Sequence, residues 1–205
     1  MSNPSEVFTR IYERNLWNGG SGVGSHPSQT AAYREVVERL VSCPEIASVV
    51  DVGCGDWQVG SLIDWTGVHY VGLDVVYGLV MDNQRRHHSD HVEFGVADAR
   101  APYLPPADLL LIKDVLQHWP TADVRQFLAR NVDRYPYLLV TNDVASEAHP
   151  TAVNTNIPLG GWRCIDLAAP PFNVEVAWST EYPVRDGHWT KQVCLLTSKG
   201  IPWEH

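Results

Sequence analysis

Two groups of residues in this sequence have types and spacings that could do chemistry. The first is the run Val49-Val50-Asp51-Val52-Gly53-Cys54-Gly55-Asp56, where β-branched residues give way to a turn holding two glycines. Such side chains suit a strand, and the glycines let the backbone pass close to a ligand through torsions a side chain would forbid. A second apolar run, Tyr70-Val71-Gly72-Leu73, ends in Asp74, 23 positions after Asp51. An acidic residue there can bond both hydroxyls of a ribose, so a nucleoside-type cofactor is expected. A dinucleotide would need a third glycine three positions after Gly55, but that position is Gln58, so no close glycine opens a helix onto a pyrophosphate. Asp51 would also sit poorly beside a pyrophosphate, yet it suits a ligand carrying an amino group and a sulfonium. S-Adenosyl-L-methionine is therefore the expected cofactor.

The second group is Lys113-Asp114, Gln117-His118-Trp119 and Asn142-Asp143. These polar residues gather at the carboxyl ends of neighbouring strands, the edge at which open α/β sheets bind ligands. They allow two arrangements. In one, neutral His118 takes a proton from an acceptor group, since its ordinary pKa lies near 6.5. In the other, Asp114, Asn142 and Asp143 hold a magnesium ion through hard oxygen ligands, and the ion acidifies an acceptor hydroxyl. Glu147 and His149 are further candidate bases. Plainer roles are open to the same residues: His118 can bond backbone at a helix start, and Asp143 can form a turn.

The elements that must position these groups follow from hydrophobic periodicity. Short apolar runs alternate with helical segments from position 47 onward, the pattern of a parallel sheet covered on both faces. Strands are expected at 48–52, 70–74, 92–97, 108–113 and 137–142, followed by an antiparallel pair at 173–179 and 192–198. Helices are expected at 5–16, from Ser28 as a capping residue to about Val41, and after Asp56, Val76 and Pro120. Residues 143–172 show little periodicity. A loop of that length is read as a substrate lid able to present Asn154, Asn156 and Arg163 to a ligand.

Through Asp51-Val52-Gly53-Cys54-Gly55 and Asp74, the sequence resembles the class I S-adenosylmethionine-dependent methyltransferases over about residues 47–198. The resemblance implies an α/β fold with a Rossmann-like seven-stranded sheet, mostly parallel with its last strand antiparallel, and helices on both faces. It also implies that Ala97, Asp98 and Ala99 lie beside the adenine and that strand four, with Lys113 on the cofactor side, ends at the active site. Outer segments, among them Ile11-Tyr12-Glu13-Arg14-Asn15, Trp17, Ser21-Gly22-Val23-Gly24-Ser25 and 163–172, are similar to a narrower subset of small bacterial enzymes linked to sugar or glycan modification. That likeness implies that the N-terminal loop folds over the cofactor, with Trp17, Gly24 and Ser25 near its methionine end. It implies O-methylation of a sugar or oligosaccharide such as a mannoside. The acidic end of strand four facing an Asn/Asp pair resembles metal-dependent O-methyltransferases, although the order here is Asn then Asp.

With 205 residues, one domain is expected: N-terminal helices and loop (1–46), cofactor-binding core (47–142), lid (143–172) and a closing strand pair (173–205). The formal charge of −9 with no basic stripe argues against nucleic acid as a partner. No apolar run approaches the roughly 20 residues of a membrane span, and the polar start lacks a signal-peptide layout, so a cytoplasmic location is expected. Four scattered cysteines form no CxxC pair and suggest reduced, buried thiols. Eight tryptophans exceed what a core of this size needs, so some are expected to line a ligand site. A small molecule or oligosaccharide is the expected partner, and a homodimer is compatible with the sequence. Rival readings are a methyltransferase acting on a small phenol or amine, a nicotinamide-dependent oxidoreductase, and a non-catalytic adenosylmethionine-binding protein.

Overall fold

The computed structural model describes residues 3–145, 150–184 and 189–204. Helix α1 (Pro4–Glu13) and helix α2 (Ala31–Val41) precede the alternating part, in which β1 (Ser48–Val52), β2 (His69–Asp74), α3 (Tyr77–His87), β3 (Val92–Val96), β4 (Leu109–Lys113), α4 (Thr121–Asn131) and β5 (Tyr137–Val144) follow in order. The last two strands are β6 (Trp178–Val184) and β7 (Trp189–Leu196). The sheet order is β3-β2-β1-β4-β5-β7-β6. Strands β1 to β5 pair in parallel, and β7 runs antiparallel to both β5 and β6. This is the class I methyltransferase fold.

The apolar runs are continuous because both faces of the sheet are covered. Val50, Val52, Leu110, Ile112, Leu138 and Val140 pack on one face against Phe8 and Ile11 of α1 and Val124 and Phe127 of α4. Their strand neighbours Val49, Leu109, Leu111 and Leu139 pack on the other face against Tyr33, Val37 and Leu40 of α2. Strand order reverses between β1 and β4, and a crevice opens at the carboxyl ends of neighbouring strands there.

Four expectations need correction. Between Asp56 and β2 no α-helix forms: Trp57 takes φ 55°, outside helical torsions, and only a 3-10 turn, Gly60–Leu62, is present. Trp57, Ile63 and Trp65 cover the sheet there in place of a helix. Helix α2 starts at Ala31 with Thr30 before it, because Ser28 lies in a 3-10 turn and its hydroxyl bonds His26 Nδ1 at 2.8 Å. The penultimate strand lies at Trp178–Val184, five residues later than expected. Its Pro183 fits because β6 is an edge strand, where a missing N–H costs no ladder bond.

The fourth concerns residues 150–172, which pack down instead of standing free. Asn154 bonds the backbone of Asp166 and Pro170, Asn156 accepts from the Thr121 N–H, and Arg163, only 2% exposed, donates to the Trp119 carbonyl. Asn154 and Asn156 are thus engaged within the fold, and Arg163, although its Nε and Nη2 have no partner, is too buried to be presented at the surface as expected. Among the described residues no helix is long and apolar enough to cross a membrane.

Candidate active site

The turn after β1 forms the floor of the crevice. Gly53 has φ 76°, and a methyl group on it would lie 2.3 Å from Val115 Cγ2, so only glycine lets the β1 and β4 ends approach this closely. Asp74, at the end of β2, accepts from the Gly55 N–H at 3.0 Å and from the Val76 N–H at 2.9 Å. It therefore pins the glycine turn to the start of α3, while each oxygen keeps a second lone pair for a ligand. Asp51 accepts from the Tyr70 hydroxyl at 2.7 Å. Burial raises its pKa to about 6, although the Tyr70 bond and Lys113 pull the other way, and Asp74 adds repulsion. Burial also raises the pKa of Asp74. Two desolvated carboxylates facing one space, Asp74 buried and Asp51 partly buried, make a site suited to a positively charged ligand.

The cleft above this floor encloses about 1030 Å³ of empty space, its open mouth included. Of the expected cofactor contacts, Trp17, Ser25, Asp51, Gly53, Asp74, Ala97, Asp98, Ala99 and Lys113 all line it. Gly55 and Gly24 do not: Gly55 faces the Ser21 hydroxyl, and Gly24 lines an adjoining cleft. Asp98 is engaged by Arg100, whose guanidinium also reaches Asp123 at 2.9 Å.

The N-terminal loop is fastened over the glycine turn. The Ser21 hydroxyl donates to Asp56 Oδ1 at 2.8 Å and also meets the Tyr12 hydroxyl, while the Ser21 N–H donates to Asp56 Oδ2 at 3.2 Å. Trp17 then lies against Tyr12 and against the His118 ring, with centroids 5.4 and 4.9 Å apart. Asp56 was not singled out as a site residue by its sequence pattern, and only the neighbouring Gly-Cys-Gly turn hints at it.

Asp114 and Asp143 come together as expected, but not to hold magnesium. The Lys191 ammonium stands between them, 2.5 Å from Asp114 Oδ1 and 2.7 Å from Asp143 Oδ1. Lys113 bonds the other Asp114 oxygen at 2.5 Å, the Ser25 hydroxyl at 3.1 Å and the Gly24 carbonyl at 3.3 Å. Asn142 neighbours Asp143 on β5, so its side chain emerges on the opposite face. It is buried, with its amide oxygen unpartnered. The three expected ligands therefore do not converge, and the space between two of them holds an ammonium. Among the described residues no group of three His, Cys, Asp or Glu is arranged to hold a metal ion. The residues do not fit the expected magnesium ion.

Charges in this network set one another. Burial opposes ionisation of Asp114, but Lys113 and Lys191 outweigh it and bring its pKa down to about 2. Asp114, expected among the catalytic groups, is thus a fixed anion and not a proton acceptor at neutral pH. Burial disfavours the Lys191 ammonium, and Asp114 and Asp143 more than reverse this, so its pKa is raised. Lys191 is a permanent cation that its sequence position did not reveal.

His118 lies in a 3-10 turn (Leu116–His118) and lines both the main cleft and the adjoining one. Its Nδ1 is 2.7 Å from the Gly161 carbonyl, which can only accept, so Nδ1 carries the hydrogen and Nε2 presents a lone pair. Burial is the main cause of its lowered pKa, which keeps the ring neutral. The adjoining cleft also carries Trp17, Trp162, Trp189, Asp143 and Lys191. The Trp162 indole N–H donates to Asp143 Oδ2 at 2.8 Å, and its ring meets Trp189 edge-on. The further candidate bases Glu147 and His149 lie outside the described residues.

Residues 50–134 match a family model described as a methyltransferase domain. Comparison with curated proteins finds no match. Among solved structures, the fold is similar to magnesium protoporphyrin IX methyltransferase (ChlM) from Synechocystis PCC 6803 with bound SAM, at 14% identity and TM-score 0.63, covering 97% of this chain and 99% of that one. It is similar also to the N-methyltransferase NodS from Bradyrhizobium japonicum WM9 in complex with S-adenosyl-L-homocysteine, at 10% identity and TM-score 0.64, over 95% and 97% of the two chains. A third similar structure is the mitomycin 7-O-methyltransferase MmcR, at 20% identity and TM-score 0.59; 82% of this chain matches, but only 55% of that one. Residues 50–134 are thus similar to a methyltransferase domain, and the chain has the class I methyltransferase fold.

Proposed function

We propose that this protein is an S-adenosylmethionine-dependent O-methyltransferase that modifies a hydroxyl of a sugar or oligosaccharide, with His118 as the base and no divalent ion. The observation that carries this reading is His118 itself: a neutral ring at the junction of the two clefts, with Nδ1 tied to a carbonyl and Nε2 left to accept a proton. A hydroxyl needs such a base because it ionises far above neutral pH. Cofactor binding is supported by Asp51 and Asp74, whose desolvation favours a ligand with an ammonium and a sulfonium, and by the SAM or S-adenosyl-L-homocysteine held by proteins of this fold. When bound, the cofactor supplies an electrophilic methyl group. In this reading Asp74 takes the ribose, Asp51 the amino group and Ala97 to Ala99 the adenine edge, supported by their lining one cleft.

Proteins of this fold include both an N-methyltransferase and an O-methyltransferase, so the acceptor must be read from the second cleft. Three tryptophans line it. Flat apolar faces beside hydrogen-bonding groups suit a ring bearing several hydroxyls. The test follows transfer of a labelled methyl group from S-adenosylmethionine, in chelator, to methyl mannoside, other methyl glycosides, phenols and small amines. Turnover on a hydroxyl is expected to persist in chelator. His118→Gln should lose roughly 100- to 10,000-fold in turnover while its cofactor affinity, measured by calorimetry, stays unchanged. Activity abolished by chelator and restored by magnesium, or transfer to amines alone, would contradict the proposal.

A further inference from the structure

We propose that Lys191 is a catalytic residue of this transfer, presenting an N–H to the acceptor oxygen and stabilising the negative charge that develops on it; the proposal rests on the hydroxyl-acceptor reading above. Lys191 is 3% exposed at its side chain, so its position is fixed, yet it lines the acceptor cleft together with His118. Two of its three N–H bonds are committed, one to Asp114 and one to Asp143. Both carboxylates are themselves held. Asp114 is bonded by Lys113, and Asp143 receives the Trp162 indole N–H while its own backbone N–H donates to Gln117. An ammonium so oriented costs no reorganisation when charge appears beside it, which is the property that makes such donors effective.

The N-terminal loop closes the other side. A methyl group on Gly24 would lie 2.7 Å from Lys191 Cε and 3.0 Å from Nζ, so glycine lets the loop rest directly on the ammonium. Among the described residues the third N–H has no bonding partner, and the ammonium lines the cleft. In the transfer, the acceptor O–H bond breaks with its proton passing to His118 Nε2. The oxygen forms its bond to the methyl carbon as the carbon–sulfur bond breaks, and the electron pair of that bond stays on sulfur as a neutral thioether. His118 then returns the proton to solvent. Lys191 keeps its protons throughout and supplies charge only, the task a divalent ion would have in the same position between two carboxylates.

The experiment compares wild type, Lys191→Met and Lys191→Arg, in chelator, on methyl mannoside, a weakly acidic phenol and 4-nitrophenol. For Lys191→Met, turnover on the mannoside and the weakly acidic phenol should fall about 100- to 1,000-fold, with a much smaller loss on 4-nitrophenol, which ionises unaided. Lys191→Arg should lie between, and calorimetric affinity for S-adenosylmethionine should stay within about twofold of wild type in all three. If circular dichroism shows Lys191→Met unfolded, the charge-balanced pair Lys191→Met/Asp143→Asn carries the test with the same gradient expected. Unchanged hydroxyl turnover in Lys191→Met, or an equal loss on all acceptors, would overturn the role of Lys191 and leave the hydroxyl reading standing. Methylation confined to amines, or absent across the panel in wild type, would overturn the hydroxyl reading and the role of Lys191 with it.

Discussion

Asp51 is partly buried, with no cation bonded to it among the described residues, and desolvation pushes its carboxyl up to about 6. A group whose folded pKa exceeds its unfolded value near 3.9 binds its proton more tightly in the folded state. Ionised Asp51 therefore destabilises the ligand-free protein above about pH 6, and this cost fades as pH falls from there toward 4. A cationic ligand reverses the preference by favouring the carboxylate. Affinity for S-adenosylmethionine should accordingly be flat from pH 7 to 8 and fall toward tenfold per pH unit below about 6. Asp51→Asn should lose this pH dependence, bind roughly 10- to 100-fold more weakly at pH 7.5, and raise the melting temperature of the ligand-free protein. Calorimetry and thermal melts across this range check it; pH-independent binding by wild type would remove Asp51 from the cofactor site.

How much of the site was legible depends on how local each contact is. Asp51, Gly53 and Asp74 carry their signal in one turn and one strand end, and all three line the cleft. Lys191 gives no such signal, because it lies 77 positions from Asp114 and 48 from Asp143 and meets them through the antiparallel register that sets it opposite Asp143. A weaker clue was present: the chain has only three lysines, Lys113, Lys191 and Lys199, and two of them meet here. Magnesium is the expectation from oxygen-bearing side chains at the ends of adjacent strands, but alternation along β5 sends Asn142 and Asp143 to opposite faces.

At the scale of elements, the parallel strands were readable because each is a short apolar run between turn residues, whereas β6 was not. Its exposed face carries Ser179, Glu181 and Pro183, and on the other face only Tyr182 and Val184 are buried. The missing helix after Asp56 had a similar cause, since Asp56 is used by Ser21 and not to cap a helix. That use makes Asp56 the fastening of the N-terminal loop. Asp56→Ala should release residues 17–25, seen as faster amide exchange there, and weaken cofactor binding while sparing exchange in β4 and β5. Equal protection of the loop in both proteins would show that Ser21 and Asp56 do not hold it.

Across the whole molecule, the parallel strands set the glycine turn, Asp74 and His118 at one edge, and β7 brings Lys191 back to the same edge from the far end of the sheet. The methyltransferase reading therefore rests on which nucleoside this edge accepts. Titration of the purified protein with S-adenosylmethionine and, separately, with NAD+ by isothermal calorimetry decides this most directly. One molar equivalent of S-adenosylmethionine should bind, weakened in Asp74→Ala by loss of the ribose bonds, and NAD+ should give no binding heat. Saturable binding of NAD+ with none of S-adenosylmethionine would contradict the assignment of the cleft and the chemistry built on it.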